Sequence, residues 1–209
     1  DGPIPWHAPG AHGAGTVHLG ADGPGLVRWG AELETGTLPA SPFLLFGQMT
    51  TTDETRSPAG TESAWAYTHL PRGMSDDASA EELAARADAV VEAHAPGFSE
   101  RILDRTVQRP GDLQSADANL VGGAVNGGTA QLFQQLVFRP VPGMGRPETV
   151  VDGVYLGSAS AHPGGGVHGV CGWLAARAAL ADHRALGPLR RRVRSAVLEL
   201  LYRDRASAR

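Results

Sequence analysis

Three consecutive glycines that follow a histidine–proline pair are the residues best suited to binding chemistry. They are Gly164, Gly165 and Gly166, and a run rich in alanine and leucine follows Val167. Glycine has no Cβ, so a ligand can approach the main chain closely. If a helix starts near Val167, its first amide N–H groups lack intrahelical partners and attract negative charge. The pattern predicts a site for a flat or phosphorylated ligand at residues 162–168, the glycine turn.

A strand and a helix must position this turn. Residues 154–156 form a short apolar run behind the turn pair Asp152-Gly153, which predicts a buried strand. Beyond the turn, small residues spaced three or four apart predict a smooth helix face that another surface can approach closely. They are Gly169, Gly172, Ala175 and Ala179. On pattern alone, a tight strand-to-helix connection without a ligand fits equally well.

The segment YLGSASAHPGGGVHGVCGWLAARAAL closely resembles the C-terminal flavin-binding segment of phytoene desaturase-like, FAD-dependent oxidoreductases, within the amine oxidase-type flavoproteins. The resemblance implies FAD as cofactor and hydride transfer from a small, possibly apolar, organic substrate. It places a set of small and polar residues at the cofactor: Gly157, Ser158, Ser160, His162, Gly164, Gly165, Gly166, Val167 and His168. An acidic residue that relatives often carry after the strand is replaced here by Ser158-Ala159-Ser160.

The resemblance also implies a fold. It is an α/β, Rossmann-like FAD/NAD(P)-binding domain with an α+β portion, in which an antiparallel substrate-domain sheet joins a strand-turn-helix unit. Residues 1–112 then belong to the substrate domain, and residues 113–209 form the C-terminal part of the FAD-binding domain with a terminal helix. No G-x-G-x-x-G precedes the glycine turn. We therefore expect an N-terminal dinucleotide-binding portion as partner, without which this chain is inactive.

Two further groups of residues are candidates for the substrate pocket. Residues 43–49 and 63–70 predict paired antiparallel strands, and period-two alternation puts Trp65, Tyr67 and His69 on one face. The resemblance implies that this face covers the flavin, whereas ordinary core packing explains the rings equally well. Asn126 and Arg139 lie in a stretch that the resemblance brings near flavin and substrate. A solvated loop asparagine and a structural arginine are the alternatives.

Composition excludes several classes of function. The net charge of −4 argues against a nucleic-acid partner. All 18 basic residues are arginine, so a lysine Schiff base is excluded. Cys171 is the single cysteine, which predicts a buried structural thiol, no intrachain disulfide and a reducing, cytoplasmic setting. His7, His12 and His18 match no common ligand spacing, so no metal site is predicted.

The remaining segments predict helices and short strands. Residues 16–19 and 26–29 resemble strands, and residues 80–94 predict a helix capped by Ser79 or Ser75. The tail, residues 187–209, predicts a terminal helix with an apolar stripe at positions 189, 193, 197, 200 and 201 and arginines at its start. Docking of that stripe within the protein is favoured over an anionic membrane surface.

No catalytic acid or base can be named, because flavin itself carries the redox chemistry. A serine hydrolase using Ser158 or Ser160 is disfavoured, since the sequence lacks the G-x-S-x-G nucleophile elbow. A non-catalytic binding module of the same fold is the remaining alternative.

Overall fold

The computed structural model describes residues 1–20, 22–129 and 131–206, with side chains through residue 200. The chain divides into two compact units, Asp1–Ala116 and Asp117–Arg209, called unit 1 and unit 2 below. The functions assigned above to residues 1–112 and 113–209 remain predictions.

An antiparallel sheet organises unit 1. Its strands are β1 (Thr16–Leu19), β2 (Leu44–Gln48) and β3 (Ala64–Tyr67), in the order β1-β2-β3. His18 pairs with Leu45, and Leu45 pairs with Tyr67, so these three side chains share one face of the sheet. The predicted pairing of the second and third strands is confirmed.

The opposite sheet face covers the core of unit 1. Leu44 and Phe46 of β2 are buried there against Trp6, and the Trp6 and Phe46 rings meet edge to face at 5.5 Å. Gln48 is also buried, and its side chain accepts from Trp6 Nε1 and donates to the carbonyls of Ala11 and Ala14. Burial of this amide therefore leaves its polar atoms bonded.

Unit 1 contains helices α1 (Gly23–Glu34), α2 (Asp77–His94) and α3 (Pro110–Ala116). The strand expected at residues 26–29 is wrong, because this segment lies inside α1. Asp22 accepts a hydrogen bond from Gly25 N–H and a proline occupies the first turn, which are helix-start signals. The expected serine cap of α2 is also wrong, since Asp76 caps the helix by accepting from Ser79 N–H.

Unit 2 contains helices α4 (Val170–Asp182) and α5 (Gly187–Ala206). The strand expected at residues 154–156 is wrong, because Tyr155 forms only an isolated bridge to Glu148 and no described strand continues the ladder. The helix expected near Val167 begins three residues later. Gly169 has φ +61°, a left-handed conformation that glycine adopts easily and that ends the turn before α4 starts.

Six short 3₁₀ helices connect these elements within the described ranges: Pro9–Ala11, Glu54–Arg56, Ser99–Arg101, Val121–Gly123, Leu132–Gln134 and Leu136–Phe138. No helix found in the described part of the chain is both long and apolar enough to cross a bilayer. Residues 207–209 and the side chain of Leu201, which were included in the predicted terminal helix, lie outside the described residues.

Candidate functional site

The glycine turn presents bare main chain at its tip. Residues 165–168 are exposed, and the Val167 side chain is fully exposed. Within the described ranges, the N–H groups of Gly165, Gly166 and Val167 donate to no protein acceptor. These three amides are therefore free to donate to the oxygen or nitrogen acceptors of a ligand.

Asn126 and Arg139 lie behind this tip. A Cβ at Gly165 would lie 2.5 Å from Asn126 Oδ1, and a Cβ at Gly164 would lie 3.5 Å from Arg139 Cδ. The structure thus brings both residues to the glycine turn. Glycine at position 165 is required sterically, because its missing side chain leaves the space that Asn126 occupies.

Arg139 is buried, with 3% of its surface exposed, and the partners of its guanidinium among the described residues are backbone carbonyls. It donates through Nη1 to Asn126 at 3.1 Å, Gly127 at 2.6 Å and Ala159 at 3.1 Å. Further bonds reach the carbonyls of Gln134 and Thr129. Arg139 therefore ties the loops around the glycine turn together, which is the structural alternative that its sequence context left open.

A histidine side chain accepts a hydrogen bond from the first backbone amide of α4. Val170 N–H donates to His168 Nδ1 at 3.0 Å, so this nitrogen carries no proton in the observed arrangement. The free amides therefore precede α4 and are not its first-turn amides.

Small residues allow close packing beneath the turn. Gly157 lies against the predicted smooth face of α4, where its Cβ position is 3.6 Å from Gly172 Cα and 3.7 Å from Ala175 Cβ. The thiol of Cys171 is buried and donates to the Gly164 carbonyl at 3.3 Å. The prediction of a buried thiol is confirmed, and its contact helps to hold the turn. His162 is half-buried, and its Nδ1 has no partner among the described residues.

Ser158 and Ser160 are bonded to each other, with their hydroxyl oxygens 2.6 Å apart. Ser158 Oγ also accepts from Ser160 N–H at 3.3 Å. Among the described residues no histidine contacts either hydroxyl. The nucleophile–base pair of a serine hydrolase is thus not formed here.

Unit 1 carries the predicted aromatic residues on the open sheet face. Trp65 is 41% exposed and Tyr67 is 37% exposed, so neither belongs to the core. The indole of Trp65 lies flat against Gly47, where an added Cβ would approach it to 2.2 Å. The structure therefore places a planar aromatic surface where the sequence predicted a substrate face.

Tyr67 and His69 form a polar pair within this surface, with the hydroxyl 3.2 Å from His69 Nε2. Burial raises the pKa of Tyr67 and lowers the pKa of His69, so both side chains favour their neutral forms. Trp29 extends the surface through ring contacts at 5.6 Å with His69 and with Phe43. Sequence reasoning missed Trp29 because its segment resembled a strand.

Sequence reasoning also missed a buried ionic cluster around Asp182. This carboxylate accepts from Tyr155 at 2.9 Å and from Arg194 at 2.8 Å, and Arg190 pairs with it at 3.4 Å. Burial is the largest single influence and would raise its pKa. Hydrogen bonds from Arg194 and Tyr155, together with the arginine charges, outweigh burial and lower the pKa of Asp182.

A groove of about 670 Å³ opens beside this cluster, lined in part by Asp152, Tyr155, Asp182, His183 and Arg191. None of the residues of the glycine turn lines it. Asp182 and Tyr155 are already engaged in the ionic cluster, so the groove and the glycine turn are separate features of unit 2.

Comparison with curated proteins finds relatives named for an oxidoreductase domain. The chain is 31% identical over 185 residues to "Pyridine nucleotide-disulfide oxidoreductase domain-containing protein 2" of Rattus norvegicus, covering 85% of this chain and 32% of that protein. The Mus musculus protein of the same name matches with the same identity and coverage. No protein-family model matches the chain. No solved structure matches it either.

The chain spans about a third of the length of these relatives. Both relatives are named for a pyridine nucleotide-disulfide oxidoreductase domain. Disulfide chemistry between two cysteines cannot come from this sequence, because it contains one cysteine.

Proposed function

We propose that this chain is the C-terminal part of an FAD-dependent oxidoreductase and works together with a dinucleotide-binding portion that carries the G-x-G-x-x-G fingerprint. The observation that carries the proposal is the row of exposed amides at Gly165, Gly166 and Val167, which have no acceptor in the part of the chain that the structure describes. Similarity to oxidoreductase-domain proteins supports it. The finer assignment, a phytoene desaturase-like enzyme, rests on the HPGGG segment alone.

The residues present suit a flavin chemically. A flavin ring carries several acceptor atoms along one edge, and the free amides supply neutral donors for them without a lysine or a metal. Bound FAD would accept a hydride from the substrate. The amides of the turn would donate to the ring and favour the negative charge that reduction brings, while Arg139 and Cys171 hold the loop in place.

The aromatic surface of unit 1 is proposed to bind the substrate. Trp65 and Tyr67 offer flat apolar faces that can pack on a planar or polyene-like molecule. The neutral Tyr67–His69 pair offers a single polar contact. A small, mainly apolar organic molecule fits this chemistry better than a charged one.

Flavin absorbance of the chain co-purified with the dinucleotide-binding portion tests the proposal. Gly165→Val should weaken FAD binding at least about tenfold, because the new side chain displaces Asn126 and covers the amides. The matched control is Gly111→Val, since a Cβ at Gly111 meets open space. A folded but colourless wild-type complex would instead support a non-catalytic binding module.

A further inference from the structure

The terminal helix α5 exposes the apolar stripe that was expected to dock it. Leu189, Val193, Val197 and Leu200 have 61%, 57%, 52% and 78% of their surface exposed. Their spacing of four, four and three residues puts them on one helix face. Among the described residues, nothing covers this face, here called the α5 stripe.

Other residues attach α5 to unit 2. Arg190 donates to Glu148 at 2.6 Å, and Arg194 donates to Asp182 at 2.8 Å. Leu198 is a buried apolar residue of the same helix. These contacts fix the rotation of α5 about its axis and leave the apolar stripe exposed.

The charges around the stripe argue against a bilayer as its occupant. A helix that binds anionic lipid needs free cations beside its apolar face. Arg190 and Arg194 are paired with carboxylates, and Arg191 donates to the Asp182 carbonyl at 2.6 Å. Three of the four arginines at positions 190–194 are therefore engaged within unit 2, which leaves a mainly apolar surface among the described side chains of α5 that suits a protein partner.

The lengths of the relatives support one particular protein partner for the α5 stripe. The chain corresponds to 32% of those proteins, so about two thirds of their length lies outside the matching part. We infer that the α5 stripe is the docking surface for the dinucleotide-binding portion of the oxidoreductase, through an apolar surface of that portion. The inference rests on the proposed function, because it requires that such a portion exists.

The test uses the tagged chain co-expressed with the dinucleotide-binding portion. Val193→Asp combined with Val197→Asp should weaken their association at least about tenfold, the scale of losing a central apolar contact. The matched control is Arg192→Asp, which adds acidic charge at an exposed position of the same helix outside the stripe. Circular dichroism of each variant checks that α5 is retained.

Labelling provides a readout that does not depend on charged variants. Cys171 is buried, so a thiol at Val197→Cys can be followed by mass spectrometry of its peptide. The inference predicts rapid maleimide labelling in the isolated chain and at least about tenfold slower labelling in the complex. Labelling of Arg192→Cys should stay fast in both.

Several outcomes would overturn the inference. They are equal association of the Asp variant, no complex with the wild type, stripe-dependent flotation on phosphatidylcholine–phosphatidylserine vesicles, or stripe-dependent self-association of the chain. A stripe-dependent complex that lacks FAD would leave the docking surface intact and remove the proposed function. A complex that binds FAD but forms independently of the stripe would remove the docking surface and leave the proposed function intact.

Discussion

The two units are held together by different kinds of interaction. Unit 1 encloses an apolar core around Leu44 and Phe46, and its buried amide, Gln48, is fully bonded. Unit 2 is organised by buried charged side chains, among them Arg139, Glu148 and Asp182, while much of its apolar surface faces outward. Burial of apolar side chains stabilises unit 1. In unit 2, polar contacts fix the loops, and several apolar side chains are exposed.

The largest effect is expected from Asp182→Ala in unit 2. The substitution leaves Arg194, whose side chain is 14% exposed, with the largely exposed Asp152 as its carboxylate partner, and losing the buried partner of such a pair typically costs about 3–5 kcal/mol. Hydrogen exchange in residues 170–182 should show a loss of this size in the opening free energy. Asp152→Ala, at a largely exposed partner of Arg194, should cost less than about 1 kcal/mol. Equal effects of the two variants would contradict the role given to Asp182.

Leu44→Ala tests the apolar side of the comparison in unit 1. Leu44 is fully buried, and removing its side chain should lower the free energy of unfolding by about 2–5 kcal/mol. Urea unfolding measures the change. Leu103→Ala, at a mainly exposed position of the same unit, serves as the control and should change stability by less than about 0.5 kcal/mol. A loss at Leu44 as small as the control's would show that unit 1 is not held by this core.

Arg139→Lys tests whether the guanidinium of Arg139 holds the loops around the glycine turn. Lysine keeps the charge but has three N–H donors on one nitrogen, so it cannot bond all five carbonyls that Arg139 binds. We expect a loss of about 1–3 kcal/mol in unit 2, because buried carbonyls are left unpaired. Exchange of amides in residues 126–129 should speed up before that of α4. Unchanged exchange in this loop would show that Arg139 is dispensable.

The smallest effect on the stability of unit 2 is expected from lowering the pH, which protonates Asp182. Asp182 has a folded-state pKa below its ordinary value of 3.8, so the unfolded state takes up the proton first as the pH falls. Its contribution is therefore complete above that value and is lost as the pH falls through the folded-state pKa. Between about pH 5 and about pH 3, α4 should lose protection. Asp182→Asn should flatten this dependence, and an unchanged slope would exclude Asp182 as its cause.

Sequence patterns located elements where local chemistry decides the structure. β1 was predicted with its observed bounds, and the β2–β3 pairing followed from two apolar runs separated by a polar, turn-rich segment. The helix at residues 80–94 was found, but its start was set too late because Asp76 rather than a serine caps it. α1 was not predicted, because the short apolar run at residues 26–29 also suits a strand. The helix-start signals are Asp22 and the proline in the first turn.

The candidate site was less accessible from sequence. The glycines and Asn126 were identified from their resemblance to a flavin-binding segment, yet the contact of Asn126 with Gly165 spans 39 residues that no local pattern connects. The same holds for Asp182, whose partners at Tyr155 and Arg194 lie in separate segments. Within the described chain the α5 stripe is exposed, which helical periodicity alone does not reveal.

The central claim is that main-chain amides of the glycine turn bind the flavin. Hydrogen exchange of residues 164–169, measured in the complex with the dinucleotide-binding portion with and without FAD, tests it most directly. The account predicts that FAD slows exchange at Gly165, Gly166 and Val167, which have no acceptor within the described chain. Bound FAD with unchanged exchange at these three amides would contradict it.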